Sequence, residues 1–198
     1  MVAELLGHYD ALWVRPDSPW AAHEAGSLER MRAFLASSPE VFLRSHAPGH
    51  FTGSALVCDP QLSQVALTHH RKLDKWLQFG GHADGDENLA RVALREAEEE
   101  SGLPRLRYLD FEAALGCPHH PVPFDLDIHE IPARAGEPAH LHYDVRFLVL
   151  SETRNLQVNE ESHQLGWFSL AEARLKTQEE SMLRQFQKLE LLHRTLLT

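Results

Sequence analysis

The stretch REAEEESG, Arg95 to Gly102, sets four glutamates into five consecutive positions and then stops at a glycine. Like charges this close on a helix repel, at about 0.2–0.5 kcal/mol per pair. The preceding residues nevertheless read as helix. Apolar side chains recur at helical spacing, and Gly102 followed by Pro104 is a stop signal, so the pattern predicts a helix over residues 87–101. On a wheel of about 100° per residue with Glu96 at zero, Leu89, Val92, Ala93 and Leu103 fall at about 20°, −40°, 60° and −20°. Glu99 at about −60° and Glu100 at about 40° share that apolar stripe, while Glu98 at about 200° points to solvent.

Three carboxylates turned inward cannot all stay ionised without compensation, because burial costs each ion several kcal/mol and repulsion adds to it. Arg95 lies about 100° off the stripe and cannot neutralise three acids. Hard divalent cations can, since Mg²⁺ and Mn²⁺ take oxygen ligands. From the helix alone, a solvated acidic face and a cation site remain equally open.

The rest of the chain narrows the choice of class. It has 198 residues, 43% hydrophobic and 24% charged, enough for one globular domain with small terminal additions. With 29 acidic against 19 basic residues the formal charge is −10, which repels phosphate backbones and anionic membranes. A nucleic-acid polymer or a membrane is therefore not the expected partner. Cys58 and Cys117 match no zinc-binding spacing. The N-terminus has no basic and apolar leader pattern, so a reducing cytoplasm is the expected setting.

Residues 1–45 read as a helical extension, with Ser27 as a plausible N-cap, and SHAPGH (residues 45–50) leads into the main body, residues 46–198. FTGSALVC (51–58), QVALTHH (64–70) and KWLQF (75–79) read as strands, as do LRYLDFEAAL, FDLDIHEI and HLHYDVRFLVL. GWFSLAEA turns from strand to helix, and an amphipathic helix closes the chain. Trp76, Trp167 and Phe168 read as core. The expected class is α+β, a mixed sheet with helices packed against it.

Extending the opening stretch upstream gives GGHADGDENLARVALREAEEESGL. From Gly81 it reads Gly, five residues, Glu87, seven residues, Arg95-Glu96-Ala97, one residue, Glu99-Glu100, one residue, Gly102-Leu103. This resembles the signature of the Nudix hydrolase superfamily, with every specified position filled and Ala97 as the smallest aliphatic. From average usage, a chance match at a given start is roughly one in a billion. The resemblance implies an α/β/α sandwich from about residue 50 to 170. It also implies a metal-dependent pyrophosphohydrolase acting on a nucleoside diphosphate linked to another moiety. In such an enzyme Glu96, Glu99 and Glu100 would be catalytic and would ligate Mg²⁺ or Mn²⁺, with the backbone carbonyl of Gly81 as a further ligand. Glu87 and Arg95 would make orienting pairings, and Gly102 would be structural. Glu160 and Glu161 sit just before the last strand, where some members place a catalytic acid, so Glu161 is a candidate base. Pro118 lies fifteen residues after Leu103, and a proline near that distance marks some ADP-ribose hydrolases of the family; ADP-ribose or a nucleotide sugar is the expected type of substrate.

Fourteen histidines are the other unusual count. On the FDLDIHEI and HLHYDVRF strands, Asp125, Asp127 and His129 share one face, as do His140, His142 and Asp144. A hairpin closing at its midpoint sets Asp127 opposite His142 and His129 opposite His140. That face suits substrate contact, a second metal, or simply water. His82 follows the Gly80-Gly81 turn, and Arg71, Lys72 and Lys75 precede it. Arg71, His82, Asp127 and His142 are the candidate substrate contacts. The N-terminal helices have three roles open to them: capping the site, forming a homodimer interface, or completing the core. Two other readings compete with hydrolysis, a non-catalytic nucleotide-sensing Nudix domain and an isomerase-type relative. An intact acidic motif argues against both.

Overall fold

Two helices open the chain in the computed structural model, which describes residues 2–116, 121–134, 136 and 138–196. Cys117 and Pro118 lie outside the described residues. Helix α1 (Val2–Trp13) buries Leu5, Leu6, Tyr9 and Leu12, a stripe at three- and four-residue spacing. Helix α2 spans Ala21–Leu35 and so begins six residues before Ser27. Its opening run, AAHEA, is already helix-forming, and Ser27 sits inside the helix rather than capping it. The Ser27 hydroxyl lies 3.3 Å from His23 Nε2. The helix ends before Pro39, and residues 36–45 form turns rather than the helical continuation expected.

Among the described residues eight strands follow: β1 (Gly49–Cys58), β2 (Gln64–His70), β3 (Lys75–Leu77), β4 (Phe79–His82), β5 (Arg107–Tyr108), β6 (Asp125–Ile131), β7 (His140–Leu150) and β8 (Ser162–Ser169). The remaining helices are α3 (Leu89–Ser101), α4 (Phe111–Leu115), α5 (Leu170–Lys176) and α6 (Glu180–Leu196). The strands hydrogen-bond in the order β3-β2-β1-β7-β5, with β4 beside β1, β6 beside β7 and β8 beside β2. The α+β class is as expected. KWLQF divides at Gln78 into two short strands. LRYLDFEAAL is strand only at Arg107–Tyr108. Its second half is helix α4, because the Asp110 side chain accepts from the Glu112 and Ala113 amides and Gly116 supplies a left-handed cap at φ 69°.

The chain divides into two compact units. The first comprises Met1–Gly53, Gly81–Val92 and Asp110–Phe147. Here the N-terminal helices complete a core. Phe34 stacks on Tyr143 at 3.7 Å, Trp13 meets Phe124 edge-on at 5.6 Å, and Trp13 Nε1 donates to the Pro123 carbonyl at 2.9 Å. The β6–β7 hairpin pairs Asp127 with Asp144, His129 with His142 and Ile131 with His140. That is two residues away from the midpoint register expected. A two-residue slip keeps every side chain on its face and changes only the partner opposite.

The second unit comprises Ser54–Gly80, Ala93–Leu109 and Leu148–Thr198. Strand β8 pairs along the whole of β2, from Gln64↔Ser169 to His70↔Ser162. Helix α5 starts on a capping box formed by Ser169 and Glu172. Helix α6 buries Met182, Phe186, Leu189 and Leu192 along one face. Trp76, Trp167 and Phe168, expected in the core, are half-buried. Lys176 lies 5.3 Å over the Trp76 ring and 5.1 Å over Phe168, and Arg154 lies 5.6 Å over Trp167. No helix among the described residues is long and apolar enough to cross a membrane.

Candidate active site and histidine cluster

Helix α3 starts where Asn88 caps it. The Asn88 side chain accepts from the Arg91 amide at 3.1 Å, and Arg91 forks onto Asp86 at 2.7 and 2.8 Å. It ends at Gly102, whose φ of +68° is costly for any residue with a Cβ and whose amide donates to the Glu98 carbonyl at 2.9 Å. Between these limits the buried positions are Leu89, Ala90, Val92, Ala93, Ala97, Glu100 and Ser101. Their mean direction lies at about 60° on the wheel, not at zero, because the small residues Ala90, Ala97 and Ser101 also face inward. The consequence separates the glutamates. Glu100 is buried, Glu96 is half-buried, and Glu99, expected to point inward, is exposed together with Glu98.

Glu100 Oε2 accepts the Gly80 amide at 3.0 Å. Gly80 comes close enough because it has no side chain: a Cβ there would lie 2.8 Å from the Ser54 backbone. Burial pushes the Glu100 carboxyl up to about 8, against the Gly80 hydrogen bond that lowers it. The neighbouring charges of Glu96 and Glu161, and a hydrogen bond between the Glu100 and Glu161 side chains, push it the same way as burial. Three acids of the second unit thus converge, Glu161 from the loop before β8 among them. The expectation for Glu161 rested on its position in the chain alone; the structure adds the contact with Glu100. Arg95 pairs with Glu96 at 2.8 Å and is half-exposed. Arg71 flanks the group: its amide donates to the Glu161 carbonyl at 2.8 Å and its guanidinium to the Ser162 carbonyl at 3.0 Å.

In the first unit, Glu87 is exposed and His82 ends β4. Asp127 is not a free substrate contact, since its carboxylate receives Arg146 at 3.1 Å and lies 3.0 Å from His129 Nδ1. Arg146 also donates to Asp144 at 2.7 Å and Asp125 at 3.4 Å, and Asp144 accepts the Thr52 hydroxyl at 2.9 Å. The aspartates of this face therefore belong to a buried ion cluster and not to a wet surface. Sequence reasoning missed the central role of Arg146, for which one strand offers no signal. His82 and His142 do come together, with ring centroids 5.1 Å apart, and His50 joins them at 5.0 and 4.8 Å. His50, a single histidine at the start of an apolar strand, carried no sequence signal either.

The acid-rich helix, its glycine limits and the surrounding strands can be set beside known proteins. A model of the NUDIX domain matches residues 50–189. The chain belongs to the Nudix hydrolase family. A Nudix-family hydrolase from Clostridium perfringens superposes with a TM-score of 0.54 at 23% identity, covering 72% of this chain and 97% of that one. An Ap4A hydrolase from C. elegans gives 0.54 at 15% identity, covering 71% and 95%. The E. coli dihydroneopterin triphosphate pyrophosphohydrolase gives 0.50 at 15%, covering 71% and 92%. Likenesses this distant show a shared fold. No curated protein matches. Nudix hydrolases act on small molecules and generally use a divalent metal.

Proposed function

We propose that this Nudix hydrolase is a pyrophosphohydrolase cleaving a nucleoside diphosphate linked to another moiety, of the ADP-ribose or nucleotide-sugar type. The observation that carries the reading is the convergence of Glu96 and Glu161 on Glu100, whose buried carboxyl is pushed up to about 8. Crowded carboxylate oxygens, one of them held by burial in its protonated form, are the donor set of a hard divalent cation. Glu96, Glu99 and Glu100 would hold Mg²⁺ or Mn²⁺. The Gly81 carbonyl is added from the motif alone. When bound, such an ion offsets charge on diphosphate oxygens and makes water a better nucleophile.

The chain's own groups supply the rest. One carboxylate of the Glu100–Glu161 pair takes a proton from the attacking water, and the hydrogen bond between the two sets which of them is free to do so. Arg71, an exposed residue anchored beside Glu161, contacts a substrate phosphate. Gly102 and Asn88 fix the ends of the helix that carries the acids.

The test is a panel of ADP-ribose, nucleotide sugars, dinucleoside polyphosphates, nucleoside triphosphates and coenzyme A, each with Mg²⁺ or Mn²⁺. Metal-dependent turnover is expected, falling about 10²- to 10⁴-fold in Glu99→Gln and Glu100→Gln. Absence of turnover on every compound, with tight binding of one, would make the domain a nucleotide sensor instead.

A further inference from the structure

His50, near the start of β1, is 1% exposed. It lies beside His142 because Gly49, at φ +150°, lets β1 press against β7: a Cβ at Gly49 would stand 2.3 Å from the Leu141 carbonyl oxygen. His82, from the end of β4, completes a triangle. One ring nitrogen from each of the three falls within 4.8 Å of the others. All three residues belong to the first unit.

We propose that His50, His82 and His142 form a binding site for a borderline divalent transition metal, Zn²⁺ or its close relatives. The donors decide the class. Three imidazole nitrogens suit zinc, cobalt, nickel or copper, whereas Mg²⁺ takes oxygen and keeps its waters. Tetrahedral zinc with bonds of about 2.0–2.1 Å needs its donors about 3.3 Å apart, which small rotations of imidazole rings provide.

The surroundings resemble an outer shell of orienting groups. His140 stands with Nε2 3.3 Å from His142 Nε2 and is itself anchored by the Pro138 carbonyl 2.9 Å from its Nδ1. His129, opposite His142 in register, contacts the Asp127 carboxylate. His82 and His142 are half-buried, which leaves a way in for an ion and a coordination position for water. Histidines packed only for bulk would gain nothing over phenylalanine and would bring polar nitrogens that need partners. The site takes over His82 and His142, which the sequence suggested as substrate contacts, and it does not depend on the role of the glutamates.

The test uses the full chain, with any purification tag removed and metal stripped by chelator, titrated with Co²⁺ and read by its visible ligand-field absorption. One equivalent is expected to bind, to be displaced by Zn²⁺ and to resist excess Mg²⁺. The signal should persist in Glu96→Gln and Glu100→Gln and weaken about 100-fold or more in His142→Gln. His82→Gln, at a half-exposed position, serves as the variant least dependent on folding, with its melting curve as control. Unchanged Co²⁺ affinity in folded His82→Gln, displacement by Mg²⁺, or loss of the signal only in the glutamate variants would each overturn the site.

Discussion

Asp125, Asp127 and Asp144 in the first unit surround a buried arginine, whereas in the second unit Glu100 lies against two further acids, Glu96 and Glu161. Arg146 is buried at 3% exposure and reaches all three aspartates. Burial alone would pull its proton off, but the carboxylates win and hold its ionisation above the ordinary range. Among the glutamates, Glu96 pairs with Arg95, which is half-exposed. In the first group the protein supplies its own countercharge, and the acids are structural. In the second, burial and the neighbouring Glu96 and Glu161 push the Glu100 carboxyl up to about 8, so it holds a proton at neutral pH. A buried acid cluster points to a ligand only when the chain has not already neutralised it.

The comparison breaks most readily at Arg146. Arg146→Met leaves three carboxylates buried together and should cost about 3–5 kcal/mol, read from urea unfolding. A loss well under 1 kcal/mol would mean that the aspartates are not ion-paired as described. The next effect is one of pH. The ordinary glutamate value is 4.5 and the folded value of Glu100 is about 8. Between the two, the folded state holds more protons than the unfolded one, so stability falls as pH rises from 4.5 towards 8 and levels off above. Unfolding midpoints in chelator should follow that slope. Glu100→Gln should flatten it, and so should saturating Mg²⁺.

Gly102→Ala sharpens the same contrast by disturbing the end of the helix that presents the acids. Its φ is +68°, and a Cβ would meet the Gln157 Cβ at 2.6 Å. A loss of about 1–2 kcal/mol is expected. The smallest effect belongs to the fourth glutamate. Glu98 is exposed and accepts a long bond, 3.3 Å, from the Leu106 amide. Glu98→Ala should cost about 0.5 kcal/mol and leave metal-dependent turnover intact.

Much of this was legible in the chain, and the failures have physical causes. The motif from Gly81 to Leu103 located helix α3, its glycine stop and the inward acids Glu96 and Glu100. Glu99 was misplaced because a wheel weighted by large apolar side chains overlooks alanine and serine, which bury as readily on a close-packed helix face. Helix α4 was hidden because Asp110 and Gly116, its two caps, decide a five-residue segment whose interior could equally be strand. The Arg146 cluster and the histidine triangle draw on residues from different strands. A single strand shows which face a side chain takes but not what stands opposite, and the hairpin register was two residues out for that reason.

The Glu100 carboxyl has one more consequence, for calorimetry. A group that still carries its proton at neutral pH must release it when a cation takes its place on the oxygens. Ion uptake should therefore acidify an unbuffered solution, and its apparent enthalpy should shift with the ionisation heat of whichever buffer receives the proton. The amount released per ion should fall towards zero once the pH passes well above 8.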